Sequence, residues 1–322
     1  MNFLENVLGK SNPIWKYVVT LLGAFIATSI GGIPLTMVII VQTIKSGGEI
    51  PMNVIQSMDA SVLGISENLM LFLTMLPFAI GLLAVILLVK YLHERSFSET
   101  VNGTGKIRWN RIFLGGGVWF VLMFIFLMVQ ILITPENFTN QFNIKTFIPL
   151  FFIALIFIPF QITFEELLFR GYLAQGFGAW TKSRWFAVFI PAILFGLMHS
   201  LNPEIEKYGF FAAMPQYIIF GLIFGFASVL DDGIELAIGM HAANNLFACL
   251  FVTFDAAALK MPTIFYQHSV HIHMETITLT LAGLFAFFFF AYKYKWCFGV
   301  MNKKIIQPKQ DTEKGNSSGA IQ

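Results

Sequence analysis

Uncharged apolar runs of about 17 to 28 residues recur along the chain and constrain its fold more than any other feature. A run of this length crosses the ~30 Å hydrocarbon layer of a bilayer as an α-helix. The chain is 57% hydrophobic and only 12% charged, which excludes an ordinary soluble domain because its surface could not be covered with polar groups. A β-barrel is disfavoured, because runs such as 285–290 lack the alternation of apolar and polar residues that barrel strands need.

We therefore predict an all-α fold, a polytopic membrane bundle of about eight transmembrane helices. The uncharged runs, each interpreted as one helix, are 17–44, 68–89, 112–135, 146–164, 185–203, 208–230, 236–254 and 276–292. Gly31, Gly32 and Pro34 are expected to bend the first helix. Residues 1–306 are interpreted as a single membrane domain with core motifs at 164–245, and residues 307–322 as a polar, disordered tail.

Basic residues are distributed unevenly between the two ends of the predicted helices. Fifteen of the twenty Lys and Arg residues fall in the terminal segments and the connections on the same side, against four on the other side. Cytoplasmic connections are enriched in Lys and Arg, so both termini are expected in the cytoplasm, within the cell membrane if the source is bacterial. The net charge of +2 gives no reason to expect nucleic acid as a partner.

Ionisable side chains inside the predicted helices need an explanation, because each costs on the order of 2.5 to 3.5 kcal/mol to insert. Glu166 and Arg170 stand four residues apart, on one helix face, where a carboxylate and a guanidinium can pair. Glu165 is rotated about 100° from Glu166 and can point elsewhere. The pair can be interpreted as a structural ion pair that ties helices together. Glu165 has no basic residue at i+3 or i+4, and this absence of a partner favours a functional role for it.

Two later helices supply imidazoles and an amide. His199 follows Phe195 by four residues in the fifth span, and His241 precedes Asn245 by four in the seventh. Counted at about 1.5 Å per residue from the nearest turns, Glu165 and His199 lie at similar depths, roughly 21 to 23 Å. His241 and Asn245 are expected to reach the same layer. A single isolated histidine in a helical bundle usually has a packing role. Phe195 is also expected to pack, and Asn244 is expected to join two helices.

Three motifs in successive membrane segments resemble those of the CPBP family. In chain order they are Glu-Glu-x-x-x-Arg, Phe-x-x-x-His and His-x-x-x-Asn. That family includes type II CAAX prenyl endopeptidases and enzymes linked to bacteriocin processing and immunity. The positions that carry the resemblance are Glu165, Glu166, Arg170, Phe195, His199, His241 and Asn245. The first three spans and the last one lie outside these motifs.

The resemblance implies an intramembrane glutamic endopeptidase acting on a membrane-associated peptide or protein. It implies that Glu165 and His199 activate a water and that His241 and Asn245 hold the oxyanion, with Glu166 and Arg170 orienting the site. A carboxylate in a low-dielectric pocket is a stronger base than one in water, which agrees with hydrolysis near neutral pH.

No cofactor is expected, and the histidines near the end of the chain are not interpreted as a metal site. His268, His271 and His273 fall in a connection far in sequence from the carboxylates. Glu165, His199 and His241 could together ligate zinc, but the chain has no His-Glu-x-x-His helix, so this mechanism is the less favoured one.

Two functions of other classes fit the same residues. In a proton-coupled transporter, Glu165 or Glu166 would take up and release a proton, although no inverted repeat is evident. A catalytically silent immunity or scaffold protein would bind a membrane peptide without cleaving it. Peptide cleavage that depends on Glu165 and His199 separates the protease from both.

Overall fold

A computed structural model describes residues 3–45, 47, 60–258 and 260–306. Six helical stretches in these residues are long and apolar enough to cross a membrane, and two shorter apolar helices accompany them. The predicted polytopic helical bundle is confirmed.

The helices, in chain order, are α1 (Ile14–Gly31), α2 (Ile33–Lys45), α3 (Glu67–Leu92), α4 (Phe97–Val101), α5 (Trp109–Ile133), α6 (Ile144–Glu166), α7 (Ala174–Thr181), α8 (Arg184–Met198), α9 (Pro203–Tyr208), α10 (Phe210–Leu230), α11 (Glu235–Leu250) and α12 (Ile272–Tyr294). A π-helix at Leu167–Leu173 joins α6 to α7, and short 3₁₀ turns lie at Glu5–Val7, Pro135–Asn137 and Phe298–Asn302. The strands are β1 (Phe138–Asn140), β2 (Val252–Phe254) and β3 (Phe265–Gln267).

The first predicted span, 17–44, is divided into α1 and α2 at Gly32, within the segment 31–34 that was predicted to bend. Gly31 packs closely against α3. A Cβ atom on Gly31 would lie 2.6 Å from the Cα atom of Pro77, so only glycine allows the two helices to approach this closely.

The predicted span 236–254 was too long, because α11 ends at Leu250 and β2 follows. The strands form a three-stranded sheet in the order β1-β3-β2, with β1 antiparallel and β2 parallel to β3. The predicted span 185–203 was also too long, since α8 ends at Met198. The tail predicted at 307–322 lies outside the described residues, and the single-domain division stays a prediction.

Large apolar side chains face outward on the helices, and several polar side chains are buried between them. Phe25, Phe113 and Leu132 are more than two-thirds exposed, as lipid-facing residues should be. Glu166 and Gln175 are fully buried. This distribution is the reverse of a soluble protein and fits a chain that has the bilayer as its solvent.

The two ends of the described chain lie on the same side of the bundle, which we call the termini face. The Phe3 amide donates to Asp232, and the Ile305 amide donates to the Lys182 carbonyl. Arg108 pairs with Glu235 on this face, 2.5 Å from Nη2 to Oε2. The sheet and the segments on either side of it lie at the other end of the helices, which we call the opposite face.

Glycines bring α5 and α11 into close contact. A Cβ on Gly239 would lie 2.1 Å from the Ile112 carbonyl oxygen, and one on Gly115 would lie 2.8 Å from the Leu236 carbonyl oxygen. Small residues at a membrane helix crossing permit this approach of two backbones. The crossing fixes the first turns of α11, and His241 and Asn245 follow on the same helix.

Candidate active site

The glutamates lie at the point where the α-helix widens. Glu165 and Glu166 end α6, and Arg170 lies within the following π-helix. All three side chains are at most 2% exposed. A π-turn inserts an extra residue into a helix and is frequent at functional sites.

Glu166 is the shared acceptor of two donors. Arg170 Nη1 donates to its Oε1 at 2.8 Å, and His241 Nδ1 contacts the same oxygen at 2.7 Å. The predicted pairing of Glu166 with Arg170 is therefore confirmed. The Arg170 guanidinium also lies 4.0 Å above the Phe195 ring, so Phe195 packs against the charged cluster. His241 is thus joined to α6 by a buried carboxylate.

Glu165 points to another side of the helix. Gln161 Nε2 donates to its Oε1 at 3.2 Å, one turn earlier in α6. Its Oε2 lies 3.9 Å from His241 Nε2 and is buried without a hydrogen-bond partner. A buried, unpartnered carboxylate oxygen is costly, and such a group at a cavity wall is a candidate for chemistry.

His199 is held in one orientation by two contacts. Its Nδ1 lies 2.8 Å from the Phe195 carbonyl, and its ring stacks on Tyr217 with centroids 4.3 Å apart and planes 19° from parallel. A carbonyl oxygen only accepts, so Nδ1 carries the proton and the neutral ring presents Nε2 as an acceptor. His199 caps the end of α8, one residue beyond its last turn.

The two asparagines of α11 have different contacts. Trp119 Nε1 of α5 donates to Asn244 Oδ1 at 3.2 Å, so Asn244 joins the two helices as predicted. Asn244 Nδ2 in turn donates to Asn245 Oδ1 at 3.1 Å. The Asn245 amide nitrogen is therefore the donor left for the cavity.

A cavity of about 370 Å³ collects most of the predicted site residues. The ones that line it are Glu165, Phe195, His199, His241 and Asn245. Glu166 and Arg170 lie behind His241 and do not line it. The lining continues to Phe254, Ala258 and Val270, so the cavity extends towards the opposite face.

Several polar residues of this cavity were missed in the sequence. Gln161, Glu204, Tyr217 and Glu275 all line it. Gln161 could have been found, since it stands one helical turn before Glu165 in an apolar span. Glu204 and Glu275 stand outside the uncharged runs, where a carboxylate gives no signal that it is buried.

Within the described ranges, the structure contains no group of three or more His, Cys, Asp or Glu side chains arranged to hold a metal ion. His268 Nε2 instead lies 2.8 Å from the Thr139 hydroxyl, and its ring packs on Tyr266. His271 occupies the N-cap position of α12.

Comparison with known proteins agrees with this geometry. The family model described as Type II CAAX prenyl endopeptidase Rce1-like matches residues 144–247, which extend from α6 through most of α11. The chain is also 32% identical over 255 residues to Uncharacterized protein YyaK of Bacillus subtilis (strain 168), an alignment covering 79% of this chain and 83% of that protein. No solved structure matches the chain significantly.

Proposed function

Because the chain belongs to the CPBP family and its residues 144–247 match the Type II CAAX prenyl endopeptidase Rce1-like model, we propose that it is an intramembrane peptidase in which Glu165 and His199 activate water. The chain is an integral membrane protein of a family of CAAX-type proteases. The observation that supports the mechanism is the unpartnered Glu165 Oε2, in the same cavity as a His199 ring whose Nε2 is an acceptor.

Glu165 is the general base of the proposed reaction. A water held between its Oε2 and His199 Nε2 loses one proton to Glu165, and its oxygen adds to the carbonyl carbon of the scissile bond. The tetrahedral intermediate then breaks at the carbon–nitrogen bond as protonated Glu165 returns the proton to the leaving nitrogen. Water is consumed, and a carboxylic acid and an amine are formed.

Asn245 and His241 are the proposed donors to the oxyanion. Asn245 Nδ2 donates without titrating. His241 already points Nδ1 at Glu166, so it must also carry a proton on Nε2 to donate to an oxyanion. Glu166, held by Arg170, would stabilise that imidazolium, as a carboxylate does when it orients a catalytic histidine. Glu166 and Arg170 are positioning residues, and Phe195 supports the Arg170 charge.

The proposed substrate is a membrane-associated peptide or protein. Both termini are proposed to lie in the cytoplasm, because the termini face carries most of the basic residues. We propose no cofactor and no nucleic-acid partner.

The test is hydrolysis of membrane peptides by the purified protein in lipid vesicles. We expect Glu165→Gln and His199→Ala each to lower kcat/KM by at least about 100-fold, the usual contribution of a positioned acid–base group. Glu136→Gln, which removes an exposed carboxylate outside the cavity, is the matched control and should keep wild-type activity.

Full activity in both variants would refute the mechanism. Uptake of intact peptide without cleavage would favour the transporter. Repeating the cleavage assay with a chelator tests the zinc mechanism, since a metal-independent enzyme keeps its rate when divalent ions are removed.

A further inference from the structure

Glu204 is a second buried carboxylate of the cavity, and the proposed hydrolysis does not use it. Its side chain is 7% exposed and lines the cavity. The Tyr217 hydroxyl donates to Oε1, and Asn202 Nδ2 donates to the same hydroxyl at 3.0 Å. Oε2 is buried and has no hydrogen-bond partner. The carboxylate is therefore held in place with one oxygen unsatisfied.

Glu204 is close to the proposed catalytic groups. The Tyr217 ring that holds its carboxylate stacks on the His199 imidazole. A substrate group that contacts Glu204 would thus lie one aromatic ring away from the residue proposed to hold the water. A separation of one aromatic ring between Glu204 and His199 suits the side chain of a substrate residue near the scissile bond.

Apart from the imidazolium proposed for His241, the cavity wall provides no cation to balance this charge. Among the described lining residues, three are glutamates, Glu165, Glu204 and Glu275, and none is Lys or Arg. Gln130 donates to Glu275 at 3.1 Å, so that group has a polar partner. The acidic cavity favours a positively charged ligand group and disfavours an anionic one.

Lys207, three residues after Glu204, and Lys260 are engaged elsewhere. Lys207 and Lys260 both pair with Asp255, at 3.4 and 3.5 Å. The hydrogen bond from Lys207 lowers the pKa of Asp255, so this exposed carboxylate is ionised and attracts both ammonium groups. Glu204 is left for a partner from outside the chain.

We propose that Glu204 is a specificity subsite that binds a cationic group of the peptide substrate next to the scissile bond. The inference rests on the proposed function and adds the substrate class. A Lys or Arg side chain or a free amino terminus supplies the positive charge and the donors that Oε2 lacks. A peptide that presents a carboxylate at this position is disfavoured by the same charge.

The experiment uses synthetic peptides of about 20 apolar residues in lipid vesicles, long enough to span the bilayer. One Lys is moved through the sequence and compared with norleucine, which has no ammonium group, and with Glu. A free amino terminus is compared with an acetylated one, which separates the two sources of cation. We expect wild type to favour Lys at one position by about tenfold in kcat/KM, and the Glu peptide to be cleaved least.

Glu204→Gln should abolish this preference, so that the Lys peptide is cleaved no faster than the norleucine peptide. Glu206→Gln, two residues along the same short helix and exposed, should keep the preference. Equal loss on the Lys and norleucine peptides would overturn the proposal, as would an unchanged preference in Glu204→Gln.

Binding of the same labelled peptides to Glu165→Gln keeps the inference testable if no cleavage occurs. We expect tighter binding of the Lys peptide that is lost in the Glu165→Gln, Glu204→Gln double variant. Equal binding of the Lys and norleucine peptides to Glu165→Gln would overturn the subsite, whether or not the chain is a protease.

Discussion

At the scale of single residues, the site depends on one oxygen of Glu166 that serves two partners. The pairing with Arg170 could be predicted, because helix geometry alone places residues i and i+4 on one face. The bond to His241 could not, because it depends on how α11 packs against α6. Helical spacing likewise predicted that Glu165 and Glu166 point in different directions. The burial of Glu204 could not be predicted, because no sequence pattern indicates it.

Removing the shared acceptor should destabilise the protein strongly. Glu166→Ala leaves Arg170 buried and uncompensated, so we expect the free energy of unfolding in lipid bicelles to fall by about 3 to 5 kcal/mol. Adding Arg170→Met removes that charge and should recover part of the loss.

The exposed pair between Lys207 and Asp255 provides the control. Asp255→Ala should lower the free energy of unfolding by less than about 1 kcal/mol. If Glu166→Ala costs no more than this surface variant, Glu166 does not hold the buried cluster together.

At the scale of helices and strands, the uncharged runs predicted most of the bundle but not where the helices end. Val252–Phe254 reads as a continuation of α11, since its residues are as apolar as those before it. It forms a strand because β3 pairs with it, and such long-range pairing is not encoded locally. The π-helix at Leu167–Leu173 was missed for a similar reason, because no residue pattern distinguishes it from an α-helix.

The crossing of α5 and α11 should be sensitive to one methyl group. Gly239→Ala places a Cβ within 2.1 Å of the Ile112 carbonyl oxygen, so the two backbones must separate. Because His241 follows on the same helix, we expect at least a tenfold loss of peptidase activity together with a lower melting temperature.

Gly117→Ala is the matched control, since a Cβ at Gly117 meets nothing within 4 Å. It should leave activity unchanged and could raise stability by up to about 1 kcal/mol, because alanine favours a helix over glycine. Equal effects of the two substitutions would show that close packing at Gly239 does not position the site.

At the scale of the whole molecule, the cavity and the basic residues lie towards different ends of the bundle. Arg108, Arg111 and Asp231 form an ion-pair network at the termini face, whereas the cavity extends to Ala258 and Val270. If the termini face is cytoplasmic, the substrate enters from the outer side of the membrane.

Cysteine labelling tests this orientation with a built-in reference. Cys297 is exposed and next to Trp296, which donates to Asp231 at the termini face. We expect a membrane-impermeant maleimide to label Ala258→Cys in intact cells, in a Cys249→Ala background, and to reach Cys297 only after permeabilisation. The opposite pattern would mean a cavity that opens to the cytoplasm.

The position of β2 has a consequence for the conformation of a substrate. β2 is an edge strand of the sheet, and its Val252 and Phe254 line the cavity. An edge strand offers backbone groups to an added strand, whereas a helical segment already satisfies its own. Segments that unwind readily, such as those with glycine or β-branched residues, should therefore be cut in preference to stable helices of equal hydrophobicity. Mapping the cleaved bonds by mass spectrometry would reveal this bias, and cuts within uninterrupted Leu and Ala stretches would contradict it.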